Sequence, residues 1–285
     1  MRVLITGKNG QLAQEFAKQL AAPGFEVEAP EEERLDIADG RAVRAALDAF
    51  RPEVVLNCAG YNLVDEAERD PTTAFRVNAQ GVRHLAASCR ETGAVLVHYS
   101  TDYVFNGQKK EPYTEADRPD PINNYGKSKL AGEAFLREIP DRFLLFRLSW
   151  VFGEGKQNFL YKILEMTGRT EVLRVVDDQV STPTSTPEIV RLTLLALDKG
   201  LRGTYHLTHR GYASRYDVAC YLLRKLGMET TVIPVSSDCF PSPARRPSFS
   251  ALSNTMLSEA LAVEIPHWKS GIDWYAERVS ISRLS

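Results

Sequence analysis

The chain has 285 residues, 44% hydrophobic and 25% charged, a composition ordinary for a soluble globular protein of one large or two modest domains. Its 35 lysines and arginines nearly balance 37 aspartates and glutamates, so no electrostatic footprint for a nucleic-acid partner is present. Cys58, Cys89, Cys220 and Cys239 form no C-x-x-C pair and read as reduced thiols. No charged-then-apolar leader precedes Val3, and no apolar stretch approaches the roughly 20 residues needed to cross a bilayer, so a cytoplasmic location away from membranes is expected.

Val3-Leu4-Ile5 reads as a strand, and residues 11–20 as a helix with Leu12, Phe16 and Leu20 on one side. Between them runs Thr6-Gly7-Lys8-Asn9-Gly10-Gln11-Leu12-Ala13. Gly7 and Gly10 allow a tight turn and close approach to a pyrophosphate, which would rest on the free N–H groups of the helix start at Gln11 and Leu12. Ala13 permits close helix–strand packing where this fingerprint usually has glycine. A second strand through Val27 should end in an acid that grips the adenosine ribose. In Glu28 to Arg34 no single acid stands out, Pro30 occupies the place to look, and Arg34 either neutralises a 2′-phosphate or balances the glutamates. Asp36 and Ile37 fit contacts to adenine, and NADPH is favoured slightly over NADH.

Further along, residues 40–50 read as a helix, 54–56 as a strand, and 71–91 as a helix. Ala59 and Gly60, after the second of these, are small where a cofactor backbone would lie close. Asn78 is poor for helix propensity and reads as an anchor for the site region. A strand over 95–98 leads to Ser100-Thr101, followed by a helix over 125–138 and a strand over 143–148.

Tyr125 and Lys129 stand four apart on that helix, so phenol and ammonium share one face. A free phenol titrates near a pKa of about 10, and the ammonium is expected to bring it toward the working range. The Thr101 hydroxyl could hold a substrate oxygen beside the phenol, equipment for moving a proton to or from a carbonyl or alcohol oxygen. Tyr221 and Lys225 repeat the spacing, but Tyr221 reads as core-facing and Lys225 as a solvated helix end.

Alternating strands and helices with near-continuous apolar strands predict an α/β fold: a doubly wound, Rossmann-like parallel sheet over residues 1–150. After Trp150 come helices over 158–167, 187–199 and 214–226, the last capped by Ser214, with strands over 172–176 and 204–207. Residues 236–247 carry three prolines without periodicity and read as a loop. Residues 151–285 are thus expected to form most of a smaller, interleaved α+β substrate domain, with segments near 185–208 packing back onto the first. His206 and His209 would face opposite sides of a strand, so no metal site is expected there.

Together these residues resemble the extended short-chain dehydrogenase/reductase superfamily. Ser100-Thr101-Asp102-Tyr103-Val104-Phe105, Val64-Asp65-Glu66-Ala67-Glu68, Arg147-Leu148-Ser149-Trp150-Val151 and Pro243-Ala244-Arg245-Arg246-Pro247 narrow this to the dTDP-4-dehydrorhamnose reductase family, with similarity along nearly the whole chain. The resemblance implies that a nicotinamide cofactor reduces the C4 keto group of a dTDP-sugar. Tyr125 would supply the proton, Lys129 would hold the nicotinamide ribose, and Thr101 would position the keto oxygen. Asp65, Tyr103 and Trp150 would line the sugar pocket, and Arg245 would meet the substrate pyrophosphate or stay solvated. A 4,6-dehydratase would need a carboxylate where Tyr103 stands. Another nucleotide-sugar reductase, a 4-epimerase, and a non-catalytic binder like the regulatory subunit of methionine adenosyltransferase stay open, as does a homodimer. Some members are dimers bridged by a glutamate-held metal; Glu15 fits, but Pro187 and Arg191 stand about where further acids would be wanted, so no bridging metal is expected.

Overall fold

Apolar side chains alternate between the two faces of a six-stranded sheet in the computed structural model, which describes residues 1–139 and 141–284. The strands are β1 (Arg2–Thr6), β2 (Glu26–Glu28), β3 (Val54–Asn57), β4 (Val95–Thr101), β5 (Phe143–Leu148) and an edge strand, Gly203–His206. They are all parallel, in the order β2-β1-β3-β4-β5-edge strand. Between the strands run α1 (Gln11–Gln19), α2 (Gly40–Phe50), α3 (Val64–Arg69), α4 (Pro71–Phe75), α5 (Val82–Thr92) and α6 (Asn124–Leu136).

Because successive strand residues point to opposite faces, Val3, Ile5, Leu56, Val97 and Phe146 join one core. There they meet Phe16 of α1 and Ile189 and Leu192 of the helix Thr186–Asp198. Leu4, Val55, Leu96 and Leu145 join the other core, against Val43, Leu47, Leu85, Cys89 and Leu136. Each such fully buried side chain contributes roughly 1.5–3 kcal/mol. Covering both faces is what lets an all-parallel sheet exist in water. The edge strand pairs with β5 from Gly203↔Leu144 to His206↔Arg147, so residues 186–206 return to this sheet after the chain has left it.

A third core lies in the second lobe. Phe152, Leu160, Leu173, Val218, Leu222, Trp268 and Ile272 pack between the helices Phe159–Thr167, Arg215–Lys225 and Trp268–Leu284. The parallel pair Val172–Val176 and Thr231–Val235 completes it. Ser214 starts the middle helix with a reciprocal cap: its hydroxyl accepts from the Asp217 N–H at 3.0 Å, and the Asp217 carboxylate accepts from the Ser214 N–H at 2.9 Å.

Two features depart from the sequence reading. Residues 71–91 form not one regular helix but α4, a π-helical turn over Arg76–Gly81, and α5. The sequence reading also omits α3, the strand Thr231–Val235 and two late helices, Thr255–Leu261 and Trp268–Leu284.

Candidate active site

The chain adds β2 on one side of β1 and β3 on the other, so the carboxyl ends of β1 and β3 part into a crevice. At its base the Thr6 hydroxyl donates to Asn57 Oδ1 at 2.7 Å, Asn57 Nδ2 lies 2.9 Å from His98 Nδ1, and the Ala59 N–H donates back to Thr6 at 3.3 Å. That network fixes Ala59 against Gly7, which has φ +70° and where any Cβ would stand 2.6 Å from the Ala59 nitrogen. Only glycine satisfies both constraints. The Gly10 N–H closes the turn onto Gly7 O at 2.9 Å, and Gly10 begins α1 without a side-chain cap. Gln11 donates to Val151 O at 3.2 Å, while its buried Oε1 has no protein partner; Leu12 faces the core. A cradle without side chains at the open N–H groups of a helix fits a dinucleotide pyrophosphate.

Asp36 accepts from the Ala38 N–H at 2.8 Å and pairs with Arg76 at 3.2 Å, and Ile37 is buried with its carbonyl against His84 Nδ1 at 3.1 Å. The structure singles out an acid after β2 where the sequence did not. Glu31 receives Lys8 Nζ at 2.6 Å and Asn9 Nδ2 at 3.2 Å, both from the glycine turn. The Lys8 hydrogen bond holds the Glu31 carboxyl below its usual range.

Tyr125 and Lys129 come from α6, whose start is fixed by Asn123. Its side chain accepts from the Gly126 N–H at 2.8 Å and donates to Arg245 O at 2.8 Å. Thr101 ends β4 beside them. The phenol of Tyr125 donates to Asn62 Oδ1 at 3.3 Å. Lys129 is buried, its ammonium donates to Tyr99 O at 2.6 Å, and it stands within reach of Gly60. Asn78 is buried inside the π turn, accepting from the Tyr61 N–H at 2.8 Å and donating to Tyr61 O at 3.0 Å and Ser128 Oγ at 2.9 Å. It ties α6 to the loop after β3, and Gly132 allows the approach, since a Cβ there would stand 2.2 Å from Asn78 O.

One expectation is corrected. The Lys129 ammonium was expected to pull the Tyr125 phenol down, yet burial pushes it well up, with only the Thr101 hydroxyl opposing. Lys129 is itself lowered to about 8 by burial, against the opposite influence of Glu133 and Cys58. In this arrangement Tyr125 keeps its proton at neutral pH.

Asp102 was not singled out from sequence. It is buried and accepts from Thr101 Oγ1 at 3.1 Å, Ser149 Oγ at 3.1 Å and Ser250 Oγ at 2.5 Å, joining three segments. Burial raises its carboxyl to about 6, with these hydroxyls opposing. With a folded value above the ordinary 3.8, Asp102 lets the folded state hold more protons than the unfolded state between those values. Its contribution to stability is therefore full below about pH 3.8 and lost as pH rises through about 6. Relative to wild type, Asp102→Asn is expected to remove that slope, gaining on the order of 2–3 kcal/mol at pH 7 over pH 4. Urea denaturation of both proteins at the two pH values checks this, and equal differences at both would refute it.

On the far side of Tyr125, Tyr103 meets its ring edge-on, with centroids 5.9 Å apart. Burial pushes the Tyr103 phenol up, against the pull of Arg215 and Arg246. Trp150 has its backbone in the left-handed region, φ 42°, a costly position for a bulky residue, and its ring packs at a tilt against Phe159 and lies under Arg215 at 4.9 Å. Asp65 pairs with Arg246 at 2.7 Å and accepts from the Ala244 N–H at 3.2 Å. Arg245 is exposed and, with Gln179, Arg215, Phe240 and Arg246, lines a cavity of about 730 Å³. Neither Tyr125 nor Tyr103 lines that cavity; Arg215 and Arg246, which do, reach Tyr103. Both had been passed over, although Arg246 stands in the same proline-flanked block as Arg245.

The second Tyr-x-x-x-Lys is spent elsewhere. Tyr221 donates to Asp273 at 3.1 Å and Lys225 pairs with the same carboxylate at 3.0 Å. Tyr221→Phe is expected to turn over within about twofold of wild type in steady-state assays; a dead enzyme would mean that the wrong tyrosine has been assigned. His206 and His209 are both buried, with Nδ1 against Tyr113 O and Pro266 O. Glu15 accepts from Gln19 at 2.7 Å, and Arg191 holds Glu188 by two bonds of 2.9 and 2.6 Å. Among the described residues no group of three or more His, Cys, Asp or Glu side chains could hold a metal.

Residues 1–281 match the family described as the RmlD substrate binding domain. A dTDP-4-dehydrorhamnose reductase of Burkholderia thailandensis is 36% identical, over 95% of this chain and 97% of the relative. A crystal structure of a dTDP-4-dehydrorhamnose reductase from Clostridium acetobutylicum superposes with a TM-score of 0.95 at 38% identity, covering 98% of this chain and all of that one. One from Bacillus anthracis, in complex with NADP, gives a TM-score of 0.93 at 34% identity, covering 96% and 97%.

Proposed function

The chain belongs to the RmlD substrate binding domain family, and on that premise we propose that it is an NAD(P)H-dependent reductase converting dTDP-4-dehydro-L-rhamnose to dTDP-L-rhamnose. The observation that carries this reading is the meeting of Thr101, Tyr125 and Lys129 beside the glycine turn, with an arginine-lined cavity whose Arg215 and Arg246 reach Tyr103, the ring that meets Tyr125 edge-on. When bound, the nicotinamide supplies a hydride. Gly7, Gly10, Gln11 and Leu12 hold the pyrophosphate, Ala59 and Gly60 leave room for the dinucleotide backbone, and Asp36 and Ile37 border the adenine. NADPH is preferred over NADH. Residues 1–150, with 185–208, carry the cofactor, and 151–285 carry most of the sugar nucleotide site.

The protein's own part is the proton and the orientation. Tyr125 holds its proton at neutral pH and gives it to the C4 oxygen as negative charge develops there. Thr101 turns its hydroxyl from Asp102 to that oxygen, while Ser149 and Ser250 keep the Asp102 carboxylate satisfied. Lys129 holds the nicotinamide ribose from its buried place one helical turn beyond Tyr125. Tyr103 and Trp150 cover the apolar faces of the hexose, Asp65 steadies that wall through Arg246, and Arg245 takes the diphosphate. Among the described residues no helix is long and apolar enough to cross a membrane.

The direct test mixes purified protein with NADPH and dTDP-4-dehydro-L-rhamnose and follows the nicotinamide absorbance. Loss of absorbance in proportion to sugar added is expected. Cofactor binding without consumption would favour the non-catalytic binder.

A further inference from the structure

The acid that stands out after β2 bears on which cofactor the crevice accepts. In a doubly wound sheet the residue about 20 positions beyond the glycine turn faces the adenosine ribose, and there an acid takes the 2′-hydroxyl whereas a cation takes a 2′-phosphate. Glu31 follows Gly10 by about that spacing, and β2 lies in register beside β1, from Arg2↔Glu26 to Leu4↔Glu28, so the chain beyond it faces the turn. Lys8, inside the turn, holds Glu31 at 2.6 Å, and Asn9 holds its other oxygen at 3.2 Å. The N–H of Arg34 folds back onto Glu31 O at 3.0 Å, bringing a second cation into the same turn. Arg34 is exposed and makes no ion pair among the described residues. Lys8 and Glu31 are each about half exposed, with side-chain accessibilities of 45% and 44%, so the pair adds little stability and is free to change partners.

We propose that Lys8, Glu31 and Arg34 form the element that selects between NADPH and NADH, with Lys8 exchanging Glu31 for the 2′-phosphate. This rests on the dinucleotide site of the reading above. For NADH, Glu31 accepts from the ribose hydroxyls while Lys8 neutralises it. For NADPH, Lys8 turns to the phosphate, Arg34 joins it, and Glu31, released by Lys8, is left as a repulsive charge beside the phosphate dianion. Removing that charge therefore strengthens NADPH, and removing Lys8 weakens it.

The test uses the full chain without sugar substrate. Dissociation constants for NADPH and NADH are read from nicotinamide fluorescence in wild type, Glu31→Gln and Lys8→Gln, with thermal melts to confirm that all three fold alike. Glu31→Gln is expected to tighten NADPH by about tenfold and to weaken NADH a few-fold; Lys8→Gln is expected to weaken NADPH by about tenfold and NADH by less. Raising salt should shrink both NADPH effects. Variants that shift both cofactors equally, or neither, would overturn the proposal, as would wild type that binds neither. Because no sugar is present, opposite shifts in the two variants would stand even if the sugar assignment failed.

Discussion

Replacing Tyr125 with phenylalanine is expected to lower kcat by about 10²–10⁴-fold, the range for loss of a positioned general acid, while the dissociation constant for NADPH changes by less than about twofold. The ring stays, and with it the edge-on contact to Tyr103; the hydroxyl gives up one hydrogen bond of 3.3 Å to Asn62. The fold should hardly register the change, because that bond is worth roughly 1 kcal/mol. What disappears is the phenol proton, which the side chain carries at neutral pH and which burial makes harder still to lose. Steady-state kinetics and a fluorescence titration of NADPH separate the two effects. A collapse in cofactor affinity, with kcat little altered at saturation, would assign Tyr125 to binding and remove it as the proton donor.

The second large effect is on stability, at the pair that fastens α6 to the sheet. Arg147 of β5 meets Glu133 through two bonds of 3.0 and 2.8 Å, with side-chain accessibilities of only 8% and 7%. Glu133 lies one helical turn beyond Lys129 and opposes the lowering of its ammonium. Arg147→Met would leave a carboxylate buried without its partner, which costs about 3–5 kcal/mol. It would also lose the packing of the guanidinium over Phe105 at 5.3 Å. Urea denaturation should show this loss, and the double variant Arg147→Met with Glu133→Leu should recover most of it, since an apolar pair replaces a buried ion pair at little cost. A single variant within about 1 kcal/mol of wild type would mean that the pair is not what secures α6.

How far the sequence reached depended on whether a signal was local. Gly7 and Gly10 were legible because a tight turn between strand and helix constrains residue type within a few positions. The alternating cores were legible from apolar runs such as Val54-Val55-Leu56 and Phe143 to Leu148. The π turn was not, because an extra residue in a helical turn leaves no periodic trace; only the poor propensity of Asn78 hinted that its side chain is used. Glu31 was hidden among four neighbouring acids, and what distinguishes it is Lys8, 23 residues away. Asp102 is likewise defined by Ser149 and Ser250, 47 and 148 residues distant. The direction of the Tyr125 shift was misread because helical spacing brings a charge near, whereas burial, which spacing does not report, dominates. The late helix Trp268–Leu284 was readable and was passed over: Trp268, Ile272, Tyr275 and Ala276 keep one buried face at helical spacing.

The central claim is that hydride reaches C4 of the sugar while Tyr125 protonates the oxygen on that carbon. Its most direct test supplies NADPH carrying deuterium at the transferable position of the nicotinamide, with dTDP-4-dehydro-L-rhamnose in ordinary water, and locates the label by NMR and mass spectrometry. The expected result is one deuterium per product molecule, on C4 of the hexose, in wild type and not in Tyr125→Phe over the same interval. Cofactor consumed with the sugar unlabelled, or label at any other carbon, would contradict it.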